Sequence, residues 1–296
     1  MAFTFFTLGG RQFWEDIYVY QKWRIQRNCI TKHYRLLDNW DIRRAGGSFE
    51  QCSRALTRCA EIFQLTPPKT KAVVLLHELA GNKNQFNQMV KMAESAGFSA
   101  IAVNYPSTRK ELRAHVRQLE LLLNSLEYVK EVSFITAGIG GLLVRLLLAA
   151  DSQWKKKIKT GRIVQIDPPN RGFRLWERLS DSKIAALFLG PSIKSCDSHK
   201  VVKIPRFPDT TEFGIINTHN RIADMLKDSL PDRWRIFFPQ IGDSFLPGAK
   251  DMIDIKTWKT NPAADDKTIR ACKNFGTLLF WIVRYVWRNA IKIILR

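Results

Sequence analysis

The sequence predicts an α/β protein built on a mostly parallel sheet with helices on both faces. Three observations carry that expectation. From Lys71 onward, short apolar segments alternate with segments of helical period. The strand candidates, "KAVVLL" above all, are continuously apolar, as strands buried on both faces must be. The stretch "EVSFITAGIGGLLVRLLLAA", Glu131 to Ala150, runs from such a strand into a helix through a tight glycine turn.

Each element has its own local reason. In the aromatic and basic first 45 or so residues, "YQKWRIQRN" and "TKHYRLLDNWD" alternate enough for a two-stranded hairpin around Cys29–Thr31. Ser48 and Gln51 have capping-box spacing, and Phe49, Cys52, Leu56, Cys59 and Phe63 then share one helical face, which Pro67-Pro68 ends. After the strand "KAVVLL", Phe86, Met89, Val90 and Ala93 line a helix stopped by Gly97. "FSAIAVNYP" is the next strand. Thr108 and Glu111 are placed to cap a helix lined by Leu112, Val116, Leu119, Leu123 and Leu126. "EVSFITA" and "RIVQID" are strands on either side of the helix "GGLLVRLLLAA". Beyond Pro168 the pattern weakens, with "EFGIIN" and "RWRIFFP" as further strand candidates. Residues 1–66 thus read as an amino-terminal extension, hairpin plus helix, packing on a main domain of residues 67–296.

The 296 residues carry 47 Lys plus Arg against 27 Asp plus Glu, a formal charge of +20 that favours anionic surroundings. Hydrophobic residues make up 45%, enough to fill a substantial core and to exclude wholesale disorder. The five cysteines form no C-x-x-C pair and read as reduced thiols. The start, "MAFTFFTLGGRQFWED", has no basic segment before its short apolar run, so no signal peptide and a cytoplasmic setting are expected. No window of about 18 uncharged apolar residues is present, which argues against an ordinary spanning helix. No metal site is expected, because His, Cys, Asp and Glu are scattered and no pair at i, i+4 has a third ligand, and no cofactor is implied.

The turn Ala137-Gly138-Ile139-Gly140-Gly141 has the small residues of a strand–turn–helix nucleophile elbow, and "VVLLHELAGNKNQF" sits where an oxyanion loop follows an earlier strand. With "AIAVNYPS" and "RIVQIDPPNRG" in the same order, residues 71–173 resemble the α/β-hydrolase superfamily, in particular bacterial lipase/esterase-like members. "WRIQRN", "YRLLD" and "RRAGGSFEQC" extend the likeness toward Gly10. The resemblance implies an α/β-hydrolase-like fold and a cleft above the sheet suited to an acyl or lipid ligand.

Carried over residue by residue, the resemblance also shows a degenerate site. The nucleophile serine falls on Gly138, the preceding histidine on Ala137, and the oxyanion-loop glycine on Glu78. His77, Glu78, Leu79 and Ile139 belong to the oxyanion loop and cleft, where Gly138 leaves extra room. The acid falls on Asp251 in "AKDMID" and the catalytic histidine on Asn274. No histidine follows His219, although the order Ser…Asp…His requires one near the carboxy terminus.

Several alternatives stand beside these assignments. A dinucleotide loop would need a further glycine after Gly141, and "GIGGLLVR" has none. His77 reads either as a residue that holds its loop or as a functional group, and Asp167 as a strand end or an active carboxylate. Ser192 and Ser195 have His199 close in sequence, as an alternative nucleophile or merely a polar loop.

The ending, about residues 275–296, reads as a basic amphipathic helix. Arg284, Arg288, Lys292 and Arg296 recur every four residues among aromatic and aliphatic side chains. Such a helix fits a membrane interface, with Trp281, Tyr285 and Trp287 at head-group depth; it fits equally a last helix packed on the core. "WKKKIKTGR" is the densest basic cluster, yet no nucleic-acid recognition motif accompanies it.

The expectation is a lipase/esterase-like protein without catalytic activity that binds a lipid or acyl ligand, or a partner, peripherally at an anionic membrane. The alternatives are an active carboxylic-ester hydrolase using another nucleophile, and a basic scaffold for nucleic acid or protein.

Overall fold

The computed structural model describes residues 10–172, 190–217, 246–249 and 251–254. Ten strands are described: β1 (Trp14–Tyr20), β2 (Trp23–Asn28), β3 (Tyr34–Leu37), β4 (Arg43–Gly47), β5 (Lys71–Leu76), β6 (Ser99–Val103), β7 (Glu131–Ala137), β8 (Lys159–Ile166), β9 (Phe213–Asn217) and β10 (Asp251–Asp254). The helices that position the site are α1 (Phe49–Ile62), α2 (Asn87–Ser95), α3 (Leu112–Asn124) and α4 (Gly140–Ala149). The fold class expected from the sequence is the one observed: a sheet of order β10-β9-β8-β7-β5-β6, parallel at every described pairing and flanked by helices.

The apolar run of β5 shows why the sheet needs helices on both faces. Ala72, Val74 and Leu76 enter one core with α3 and α4, while Val73 and Leu75 enter another with Phe86, Met89 and Ala93 on and before α2. Period-2 alternation sends successive side chains to opposite faces, and both faces are apolar.

The expected hairpin is present as β2–β3, but it lies inside a four-stranded antiparallel sheet, β1-β2-β3-β4. Its core is Ile17, Trp23, Ile25 and Leu36 against Cys52 and Leu56 of α1, whose Ser48–Gln51 capping box forms as the spacing predicts. A buried polar hub ties this sheet to the main one. Asp16 accepts from Arg24 (2.6 Å), Gln26 (2.7 Å) and the Asn104 backbone N–H (2.7 Å), and Glu15 pairs with Arg27 (2.6 Å) and Lys110 (2.5 Å). Two fully buried carboxylates are tolerated because each is paired and hydrogen-bonded.

One expected cap differs. α3 has Glu111 at its N-cap without a side-chain bond, and Thr108 hydrogen-bonds Gln12 Oε1 (3.2 Å) instead. A tertiary partner nearly a hundred residues away takes the hydroxyl that spacing alone would give to the helix. Among the described residues no helix is long and apolar enough to cross a membrane. The candidate strand "RWRIFFP" and the basic tail lie outside the described residues.

Candidate functional site

The chain runs from β5 outward to β6 and then returns to β7 on the other side of β5. In an open parallel sheet this reversal leaves a crevice outside the carboxyl ends of the two central strands. The loop after β5 carries His77, Glu78 and Leu79, and the turn after β7 carries Gly138 and Ile139, so both sequence-predicted pieces meet at the switch point.

The turn is built by its glycines. Gly138 has φ +50°, a left-handed conformation; its N–H donates to Ile166 O (2.9 Å) and its carbonyl accepts from Gly141 N–H (3.1 Å). A Cβ on Gly140 would stand 2.8 Å from Leu76 O, and one on Gly141 would stand 2.8 Å from Gln165 Nε2. The first turn of α4 is therefore seated directly on the ends of β5 and β8, which only glycine permits. Ile139 is 2% exposed and points into the main core, so it offers the site its backbone rather than its side chain.

The room expected above Gly138 is taken. A Cβ there would meet Glu78 Cβ at 3.1 Å and Cα at 3.7 Å. Glu78 is solvent-exposed at the rim, yet desolvation by the surrounding protein raises its carboxyl pKa above the usual range. Leu79 packs against the main core. On the other side of the turn Asp167 follows β8 with φ +47°, its N–H donating to Ile216 O (2.9 Å), and it is exposed.

His77 is fully buried and stacked on Tyr105, ring centroids 4.0 Å apart. Its Nδ1 lies 2.8 Å from Glu78 O, which can only accept, and its Nε2 lies 3.4 Å from the Tyr105 N–H, which can only donate. Both ring nitrogens of a neutral imidazole are thereby committed, and the Tyr105 hydroxyl donates back to His77 O. Burial pushes the His77 pKa down to about 4. This geometry fits the loop-holding reading of His77.

The alternative nucleophiles are arranged differently from their sequence spacing. Ser192 is buried and faces His115, 3.4 Å from Nε2, rather than the exposed His199. Ser192 Oγ donates to Lys110 O (2.5 Å), and His115 Nε2 lies 3.1 Å from the same carbonyl. Nε2 therefore carries the proton, and the free lone pair is on Nδ1, which has no hydrogen-bond partner among the described residues. A general base for Ser192 needs the opposite tautomer. Burial holds His115 neutral, with a pKa lowered to about 3.

The remaining assignments are placed as follows. Asp251 opens β10, opposite Gly214, at the amino end of a parallel strand. The backbone register puts Asp254, opposite Asn217, at the carboxyl edge where the turn lies. Asn274, Trp281, Arg284, Tyr285, Trp287, Arg288, Lys292 and Arg296 lie outside the described residues. The basic cluster at 154–162 is partly structural: Trp154 and Ile158 are core residues, and Lys155 Nζ donates to Ala150 O (2.6 Å) at the end of α4.

Sequence reasoning missed the Arg145 guanidinium, buried in α4 behind the turn. It donates to Asn170 O (3.2 Å), Ile204 O (2.6 Å) and Pro205 O (3.2 Å), tying two loops to the helix that starts at the elbow. A lone arginine in an apolar helix was its only signal.

No family model matches the chain, and no curated protein matches it either. Among solved structures, it is similar to the mature Bacillus licheniformis lipase at 16% identity, covering 63% of this chain and 83% of that one, TM-score 0.47. A metagenomic carboxyl esterase matches at 15% identity over 64% of this chain and 63% of its own, TM-score 0.48. The Paleococcus ferrophilus monoacylglycerol lipase matches at 15% over 73% and 95%, TM-score 0.40.

Proposed function

We propose that this protein is a lipase/esterase-like α/β-hydrolase-fold protein that holds an acyl or lipid ligand near a membrane surface without hydrolysing it. The observation that carries the reading is Gly138, a glycine in left-handed conformation at the switch-point turn. Acyl transfer by this fold needs an oxygen displayed at that position, a base to take its proton, and N–H donors facing the developing oxyanion. Gly138 supplies no atom to attack with. Glu78 stands where the resemblance expects the oxyanion-loop glycine, and an acidic side chain on that loop opposes rather than stabilises a developing negative charge. The strand ends, the turn and the loop remain as a shaped edge for a ligand. Membrane association rests on the sequence of the basic, aromatic tail.

The test is serine-directed fluorophosphonate labelling of the purified protein together with turnover of short- and medium-chain activated esters. Neither signal should exceed that of heat-killed protein. Stoichiometric labelling of a serine with turnover would replace the proposal by an active esterase. Flotation with anionic vesicles should be lost on truncation at Gly276; equal flotation of the truncated chain would remove the tail from the account.

A further inference from the structure

The amino-terminal sheet carries, along β3 and β4, a groove of about 690 Å³, within the range of small-ligand sites. It is lined by Trp14, Arg35, Arg43, Arg44 and His33 among ten residues, none of them acidic, with Gly46 and Gly47 exposing backbone along β4. Arg44 is paired with Asp38 at 2.7 Å. Arg35 and Arg43 have no carboxylate at salt-bridge distance among the described residues.

Arg35 is held in place rather than left to solvent. Its guanidinium carbon lies 3.9 Å from the Trp14 ring centroid, and its Nε and Nη2 both donate to Gln26 Oε1 (2.9 and 2.7 Å). Gln26 is itself fixed, because its Nε2 donates to the buried Asp16 (2.7 Å) and so turns its oxygen toward Arg35. A preorganised guanidinium with donors to spare is the group that recognises phosphate in forked geometry. Desolvation and, after the partial offset of Asp16 and Asp41, the neighbouring charge of Arg43 hold the Arg35 pKa down at about 10, so it stays charged at neutral pH. Asp16 and Asp41 offset part of this repulsion from a distance, but the groove lining itself holds Arg35, Arg43 and Arg44 and no carboxylate, so an anion seated there would meet cations alone.

We propose that this groove binds a phosphate ester, clamped by Arg35 and Arg43 across β3 and β4. The site is separate from the switch-point crevice and does not depend on what that crevice holds. The phosphate belongs either to a soluble small molecule or to a phospholipid head group, and the two arms of the test separate these sources.

The experiment titrates the full chain with glycerol 3-phosphate by calorimetry at fixed ionic strength. In parallel it floats the chain with phosphatidic acid in phosphatidylcholine vesicles. At least one probe should bind, with affinity falling at least about tenfold in Arg35→Gln and in Arg43→Gln. Arg58→Gln, which removes the same charge from an exposed position on α1, should leave binding unchanged. Binding of the soluble ester identifies a free ligand, and binding of vesicles alone identifies a head group. If Arg35→Gln fails to fold, the exposed Arg43 decides alone. The proposal is overturned if neither probe binds, if the groove substitutions change nothing, or if Arg58→Gln weakens binding as much as they do.

Discussion

Gly138 and Glu78 face each other across the carboxyl ends of β7 and β5, so closely that a Cβ on Gly138 would stand 3.1 Å from the Cβ of Glu78. The two residues are therefore sterically coupled. A residue with a side chain at 78 occupies the space that a residue with a side chain at 138 would need. Gly138→Ser meets this contact and also the φ of +50°, and should cost about 1–2 kcal/mol of stability. Glu78→Gly should relieve the contact but not the backbone strain. Denaturant melts of the two single variants and the double variant should give a coupling of about 0.5 kcal/mol or more, in the sense that the pair is better than the sum. Strict additivity would show that the loop backbone carrying Glu78 gives way freely.

Acid should destabilise the protein through its two buried histidines. The His77 and His115 pKa values are depressed to about 4 and about 3, so between those values and the ordinary 6.5 the unfolded chain binds protons that the folded chain does not. Their contribution is complete above pH 6.5 and is lost as pH falls toward 4 and 3. The loss at pH 5 is about 2 kcal/mol per histidine. Glu78 works in the opposite direction, its raised pKa favouring the fold at low pH, and its exposure keeps that term small. Urea melts from pH 7 to 4.5 should show stability falling with a slope approaching two protons, and His115→Gln should reduce the slope by one.

What the sequence made legible was what is local and periodic. β5, β7 and the start of α4 follow from apolar runs and from glycines whose neighbours leave no room for a side chain. β1 and β4 were hidden. "WEDIYVY" carries Glu15 and Asp16, which look like surface charges but are buried against Arg24, Arg27 and Lys110, and "RRAGG" has no apolar rhythm. At the site, Gly138 was readable because the turn around it is. The Ser192–His115 contact joins residues 77 positions apart, and Gln12 captures Thr108 from 96 positions away; no spacing rule reaches either.

Gly140, at the start of α4, and Gly97, just past the end of α2, do different work, and substitution should separate them. Gly140→Ala drives a methyl to 2.8 Å from the Leu76 carbonyl and 3.0 Å from Leu76 Cβ, in the centre of the sheet. Backbone there cannot give way, so a loss of about 2–3 kcal/mol is expected in thermal or denaturant unfolding. Gly97→Ala, with nothing within 4 Å of its Cβ, should cost only the left-handed backbone penalty of about 1 kcal/mol. Equal losses at the two positions would contradict the close seating of α4 on β5.

Arg145 supplies the last prediction. Its guanidinium spans two loops, donating to Asn170, Ile204 and Pro205 carbonyls, and no carboxylate pairs with it among the described residues. Its worth therefore lies in satisfied carbonyls rather than in an ion pair. Arg145→Met fills similar volume but leaves the Asn170 and Ile204 carbonyls buried without this donor, and should cost about 3 kcal/mol. Arg145→Lys keeps the charge and loses the fork, so it should recover only part of that loss, because an ammonium cannot reach carbonyls on both loops at once. If lysine restored full stability, charge alone would suffice and the bridging geometry would be incidental. Unchanged stability in Arg145→Met would show that the carbonyls find other donors once the guanidinium is gone.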